Sequence, residues 1–140
     1  MISYRAPKNY ANKFGREIHP EKNIYQVESY LRYQGEKLAE RFDANTYIIL
    51  SKAMDSHDVS RGRGSFENVF ENLNKPVLVV GFDSDRLYPI EEQRELAELI
   101  PNSHFAELAS PYGHDAFLIE FEQINTELKP FYHSLKTRTS

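Results

Sequence analysis

The segment PVLVVGFDSD, residues 76–85, joins a buried strand to two carboxylates that follow it directly. Its first half is a short continuous run of β-branched and aliphatic residues bounded by proline and glycine, which is typical of a parallel strand covered on both faces. Asp83 and Asp85 stand where that strand ends. We therefore predict a strand over residues 76–80 and ask what chemistry the two acids serve.

The residues after this strand repeat the pattern of an α/β unit. Pro89 opens IEEQRELAELIP, which has acidic residues in its first turn and an apolar stripe at helical spacing. SHFAEL, residues 103–108, is a second predicted strand, and apolar residues from Phe117 to Phe131 predict a final helix that Pro130 bends or ends. Strand, helix, strand, helix predicts an α/β fold, but two strands are too few for a covered sheet, so we expect the remaining strands elsewhere.

The first 75 residues carry no comparable strand. Residues 1–23 contain two prolines and a glycine among polar and aromatic residues, which predicts an irregular arm. Residues 25–42 have apolar positions at three- and four-residue steps, and a second helix begins near Asp43, although TYIIL alone would pass for a strand. We expect the two helices to leave an apolar face partly exposed, and a short helix to follow the glycine-containing loop near residue 64.

Composition excludes several classes of function. The chain has 140 residues and no cysteine, so it is the size of one domain and has no disulfide, thiolate metal site or cysteine nucleophile. Acidic and basic residues are well mixed and the net charge is -4, which gives no reason to expect nucleic acid or an anionic membrane as partner. No apolar run approaches the roughly 18 residues of a membrane span. We expect a soluble, cytoplasmic protein.

A histidine loop follows the second predicted strand. SPYGHDAF, residues 110–117, places His114 after Gly113, which lets the backbone turn sharply. Reactive groups of open α/β sheets gather at the carboxyl ends of the strands, so an aspartate after one strand and a histidine after the next can meet. A carboxylate beside an imidazole selects its tautomer and stabilises its protonated form. The sequence predicts an acid–histidine pair at this edge.

The chain order of the pair matches one catalytic arrangement. α/β-Hydrolases place their triad in the order nucleophile, acid, histidine. Their usual outline after the acid strand is a glycine, an aspartate three or four residues on and a proline four residues later, which fits Asp85 and Pro89 but not Asp83. We therefore assign Asp85 as the acid and expect Asp83 to cap the turn or face solvent.

Several long motifs together resemble the C-terminal part of homoserine O-acetyltransferase, an acyltransferase family of the α/β-hydrolase superfamily. They occur in the family's order and run across nearly the whole chain: SYLRYQGEKLAERFDANTYIILSKAMDSHDVSRGRG, VLVVGFDSDRLYP, ELAELIPNS and SPYGHDAFL. The resemblance implies transfer of acetyl from acetyl-CoA to a serine and then to the hydroxyl of L-homoserine, in methionine biosynthesis. It implies that Asp85 and His114 are catalytic and that Asp115 reads the substrate amino group, for which an N-cap of the last helix is the alternative.

The resemblance also indicates what this chain lacks. It contains no GxSxG elbow, because RGRGS at residues 61–65 has no buried strand before it. We therefore expect a C-terminal portion of an α/β-hydrolase fold with an incomplete sheet: an arm and helical lid segment over residues 1–74, and the strand-helix-strand-helix part over residues 75–140. A homodimer through the lid segment is one option. Alone, the chain is expected to be inactive.

The sequence is also compatible with other functions. The acyl donor and acceptor rest on resemblance, so serine O-acetyl transfer and homoserine O-succinyl transfer are alternatives. VLVVGFDSD also resembles the motif of haloacid-dehalogenase-type phosphatases, which use Mg²⁺, although Leu87 stands where a threonine or valine is wanted. An inert, non-enzymatic fragment is the third. We predict no metal site, because DSHD at residues 55–58 fits a helix end better, and no cofactor beyond acetyl-CoA as co-substrate.

Overall fold

The computed structural model describes residues 4–137, and it has the predicted order of strands and helices after residue 75. A 3-10 helix, Gly113–Leu118, lies between the second strand and the last helix. The strands and α-helices are α1 (Pro7–Phe14), α2 (Gln26–Arg41), α3 (Ala44–Asp55), α4 (Phe66–Glu71), β1 (Val77–Phe82), α5 (Ile90–Leu99), β2 (Ser103–Leu108) and α6 (Phe121–Thr137).

The two strands pair in parallel, so both end at the same edge. The register runs from Val77 opposite Ser103 to Phe82 opposite Leu108. Helix α5 packs against both strands, and Gly81 makes that close approach possible, because a Cβ there would lie 2.5 Å from Cδ1 of Ile90. The loops after β1 and β2 are therefore brought side by side, as the sequence predicted.

A small apolar core lies directly beneath those loops. Phe82 and Leu108 end the two strands and contact Ala116, which is completely buried. Tyr112 and Ile124 pack around this cluster. Burial of a phenylalanine or leucine side chain contributes about 1.5–3 kcal/mol, so the contacts that stabilise the strand ends also fix the histidine loop.

The N-terminal arm is not irregular throughout, and the prediction for residues 1–23 is wrong where α1 forms. Pro7 stands in the first turn, where its missing N–H costs no helical hydrogen bond. Phe14 is buried, with its ring centroid 5.1 Å from that of Tyr30 in α2. The helix has few apolar positions, and their partner lies in another element, so periodicity within the segment does not reveal it.

Helices α2 and α3 confirm the prediction for residues 25–54. TYIIL lies inside α3, and the carboxylate of Asp43 caps that helix by accepting a hydrogen bond from Thr46 N at 2.9 Å. Neither helix has a buried residue. Ile49 and Met54 are 65% and 67% exposed, so the expected exposed apolar surface is present.

The last helix differs from its prediction at its start. Phe117 belongs to the 3-10 helix, and α6 begins only at Phe121. Pro130 does not end α6, which continues to Thr137. The stripe of apolar residues therefore spans two elements, because the buried Ala116 holds the first turn against the strand ends. No helix within residues 4–137 is long and apolar enough to cross a membrane.

Candidate active site

The carboxylate of Asp85 is held by the turn that follows β1. Its Oδ1 accepts hydrogen bonds from the backbone N–H groups of Leu87, at 2.8 Å, and Tyr88, at 3.0 Å. The side chain of Asp85 is only 8% exposed. Two backbone donors on one oxygen orient the group and leave Oδ2 for another partner.

That partner is His114. Its Nδ1 lies 2.8 Å from Asp85 Oδ2, so the approach predicted from the sequence is observed. A carboxylate that accepts this hydrogen bond favours the neutral tautomer with its proton on Nδ1, in which Nε2 keeps its lone pair. The imidazole is 20% exposed. The arrangement can therefore take a proton at Nε2 while Asp85 stabilises the imidazolium that results.

The loop that carries His114 is fixed by hydrogen bonds to the β1 loop. Gly113 adopts φ +66°, a conformation that favours glycine. Its N–H donates to Ser84 Oγ at 3.0 Å, and that hydroxyl donates to the carbonyl of Ser110. The imidazole is thus presented by a turn that both loops stabilise.

Aromatic rings surround the imidazole of His114. Ring centroids of Tyr4, Tyr88 and Phe117 lie 5.5, 5.1 and 5.2 Å from that of His114. A cavity of about 210 Å³ opens beside the acid–histidine pair. It is lined by Val80, Gly81, Phe82, Asp85, Tyr88, Gln93, His114 and Phe117.

A larger cavity of about 460 Å³ lies at the opposite ends of the strands. Pro76 and Ser103, at the starts of β1 and β2, border it together with α6 residues such as Phe131. Neither Asp85 nor His114 lines it. We place the candidate site at the smaller cavity, because the paired groups capable of proton transfer are there. Among residues 4–137, no group of three or more metal-ligating side chains is found.

Asp83 has a different partner from Asp85. Its Oδ1 accepts a hydrogen bond from the backbone N–H of Ser110 at 2.9 Å, and the residue is otherwise exposed. Of the two expectations for Asp83, exposure to solvent is observed and a cap of its own turn is not. The carboxylate connects the loop after β1 to the loop after β2.

Asp115 directly follows His114 in the sequence but does not cap α6, so the N-cap alternative is wrong, and it is not among the residues that line the cavity beside the pair. The residue sits within the 3-10 helix, whereas α6 starts at Phe121. Its Oδ2 forms an ion pair with Arg5 Nε at 2.9 Å. Its Oδ1 has no hydrogen-bond partner among the described residues.

Sequence reasoning missed the contribution of the N-terminal segment. Tyr4 and Arg5 reach the histidine loop from 110 residues away, and no local pattern marks them. Helix α1 brings Tyr10 into the same region, where its buried hydroxyl has no partner among residues 4–137. Burial, and then Tyr30, raise the pKa of the Tyr10 phenol. Tyr88 stood in the motif after Asp85, but only the fold shows that it packs on the imidazole.

Comparison with known proteins identifies sequence relatives of this chain. The chain is 51% identical over 138 residues to the homoserine O-acetyltransferase of Chlorobium chlorochromatii, a match that covers 97% of this chain and 39% of that protein. The chain is a relative of homoserine O-acetyltransferases. It spans about two fifths of the length of the relative it matches. The predicted resemblance is thereby confirmed. No family model matches.

Solved structures confirm the predicted fold class. A homoserine O-acetyltransferase from Bacillus anthracis superposes with a TM-score of 0.80 at 21% identity, over 93% of this chain and 38% of that one. An α/β-hydrolase enzyme from a deep-sea metagenome library superposes with a TM-score of 0.60 at 18% identity, over 94% and 41%. The chain therefore has part of an α/β-hydrolase fold, which explains a sheet of two strands.

Proposed function

We propose that Asp85 and His114 are the acid and the histidine of a Ser-Asp-His acetyltransferase that transfers acetyl from acetyl-CoA to the hydroxyl of L-homoserine. The 2.8 Å contact between His114 Nδ1 and Asp85 Oδ2 carries the proposal. The serine would come from a part of a longer protein that these 140 residues do not include, in keeping with a relative of which the chain covers 39%.

In each half of the proposed reaction, Nε2 of His114 takes up one proton and then gives it to the leaving group. In the first half, Nε2 takes the proton of the serine hydroxyl, Oγ attacks the thioester carbonyl, and the CoA thiolate leaves with that proton. In the second half, Nε2 takes the proton of the homoserine hydroxyl, which attacks the acetyl-serine ester. Serine then leaves with the proton. Asp85 stabilises the imidazolium in both halves.

The remaining assignments belong to the same proposal. Asp115 would bind the ammonium group of homoserine through Oδ1, for which the described part of the chain shows no hydrogen-bond partner. Residues 1–74 would form the arm and lid segment, and residues 75–140 the core portion. A homodimer through the lid segment, methionine biosynthesis and a cytoplasmic location are the setting we propose for the longer protein.

The phosphatase reading has less support than the acetyltransferase. A phosphatase of this type would need Asp83 as its nucleophile, but Asp83 Oδ1 accepts a hydrogen bond from Ser110 N. The second aspartate, Asp85, is paired with the imidazole of His114. The Chlorobium chlorochromatii relative named above is a homoserine O-acetyltransferase. A Mg²⁺-dependent phosphatase assay of the chain would return no activity if this choice is right.

The decisive test uses a chimera in which this chain replaces the matching segment of the Chlorobium chlorochromatii enzyme. Release of free CoA from acetyl-CoA should require L-homoserine, and His114→Ala should lower turnover by at least about 10³-fold. His133→Ala is the matched control, because that exposed ring forms a hydrogen bond within its own helix, to Lys129 O. An active His114→Ala chimera would refute the proposal, and the use of serine or succinyl-CoA instead would correct the substrates.

A further inference from the structure

The backbone of residues 4–6 crosses the histidine loop in direct contact. A Cβ on Gly113 would lie 2.7 Å from Ala6 N, 3.0 Å from Arg5 C and 3.1 Å from Tyr4 O. Gly113 and Ala6 are both buried. The N-terminal segment is therefore packed against the turn that presents His114.

Arg5 anchors this segment through its side chain. Its Nε lies 2.9 Å from Asp115 Oδ2, and a second guanidinium nitrogen donates to Asn9 Oδ1 at 3.3 Å. Both partners of the ion pair are 27% exposed. Fully exposed ion pairs contribute little to stability, but this one is partly shielded from water and joins residues far apart in the chain, where it can fix an orientation.

We infer that Arg5 is a positioning residue, which holds Asp115 so that its Oδ1 faces the ammonium group of the acceptor amino acid. The inference rests on the proposed function. One carboxylate oxygen is occupied by the guanidinium, and the other has no protein partner in the described part of the chain. A carboxylate with one oxygen fixed has its second oxygen in a defined direction, which lowers the entropic cost of binding a cation there.

Arg5 also has an electrostatic effect on Asp115, which would change the KM for homoserine in the opposite direction. A guanidinium beside Asp115 offsets its negative charge, so Arg5 could instead weaken binding of an ammonium group. Removal of Arg5 would then lower KM for homoserine. We expect orientation to dominate, because the guanidinium binds Oδ2 and leaves the negative charge of Oδ1 available to the ammonium group.

The test measures both half-reactions of the chimera. Arg5→Ala should raise the KM for L-homoserine about tenfold, while kcat changes less. A change of about tenfold is what the loss of one hydrogen bond to a charged group typically causes. Formation of acetyl-enzyme from acetyl-CoA should be unchanged, because homoserine takes no part in it. Arg32→Ala is the matched control, since Arg32 pairs with Glu28 on the exposed surface of α2. Arg5→Lys keeps the positive charge but loses the planar guanidinium and its several N–H donors. The KM of this variant for L-homoserine should therefore fall between those of the parent chimera and Arg5→Ala.

A double-mutant cycle tests whether Arg5 acts through Asp115. In an Asp115→Asn background, Arg5→Ala should raise KM for homoserine by less than about twofold further, because the orientation it maintained no longer matters. Additive effects, or an unchanged or lower KM in Arg5→Ala alone, would overturn the inference and leave the proposed function standing. A parent chimera that forms no acetyl-enzyme would overturn both.

Discussion

Asp83 and Asp85 are two residues apart, yet their carboxylates have different partners. Asp85 Oδ2 lies 2.8 Å from His114 Nδ1, whereas Asp83 Oδ1 accepts from Ser110 N at 2.9 Å. One carboxylate therefore faces the imidazole, and the other joins the two loops that carry the pair.

Because the two carboxylates have different partners, the same substitution at Asp85 and at Asp83 should lower kcat by different amounts. In the chimera, Asp85→Asn should lower kcat by about 10³–10⁴-fold, because an amide no longer favours the tautomer protonated at Nδ1. Asp83→Asn should cost less than about tenfold, since the side-chain oxygen can still accept from Ser110 N. Steady-state release of CoA measures both. A larger loss for Asp83→Asn would show that the acid is misassigned.

Gly113→Ala should destabilise the protein. The φ of +66° costs a residue with a Cβ about 1–2 kcal/mol, and the contact with Ala6 N adds to it, so we expect a loss of about 2–3 kcal/mol in the free energy of unfolding. Gly35→Ala in α2 is the control, because nothing lies within 4 Å of its Cβ position. It should stabilise by about 0.5–1 kcal/mol. Chemical denaturation measures both, and equal effects would contradict the packing of residues 4–6.

The apolar surface of α3 predicts self-association of the 140-residue chain. Large exposed apolar side chains contribute to a hydrophobic surface that is stabilised by contact with another one. Ile49→Lys together with Met54→Lys should shift sedimentation velocity profiles towards monomer. Asn125→Lys, on the exposed side of α6, adds charge without removing an apolar group and should leave the profile unchanged. A chain that is monomeric before substitution would disprove this expectation.

The loop after α3 predicts a titration that NMR can follow. Hydrogen bonds from the side chain and the backbone N–H of Ser60 lower the pKa of Asp58 below its ordinary value. A lowered folded-state pKa means that the interaction is present at neutral pH and is lost as the pH falls through that pKa. Ser60→Ala should raise the pKa of Asp58 towards the ordinary value. An unchanged pKa would show that the hydroxyl is not the main cause.

The sequence alone determined the elements in which pattern and structure are local. The run before Gly81 predicted β1, SHFAEL predicted β2 with its observed bounds, and the spacing of Gly81, Asp85 and Pro89 selected the carboxylate that meets His114. These features follow from backbone periodicity and from the rule that adjacent parallel strands end at one edge.

Tertiary structure alone decided the contacts between distant segments. It placed Arg5 on Asp115, Asp83 on Ser110, and Tyr4 on His114, and it made α1 a helix by burying Phe14 against α2. Each contact joins residues that no repeat or turn links along the chain. Side-chain pairs of this kind depend on the core of Phe82, Leu108 and Ala116, which fixes the loops, because a long-range contact must offset the entropy of closing the chain between its partners.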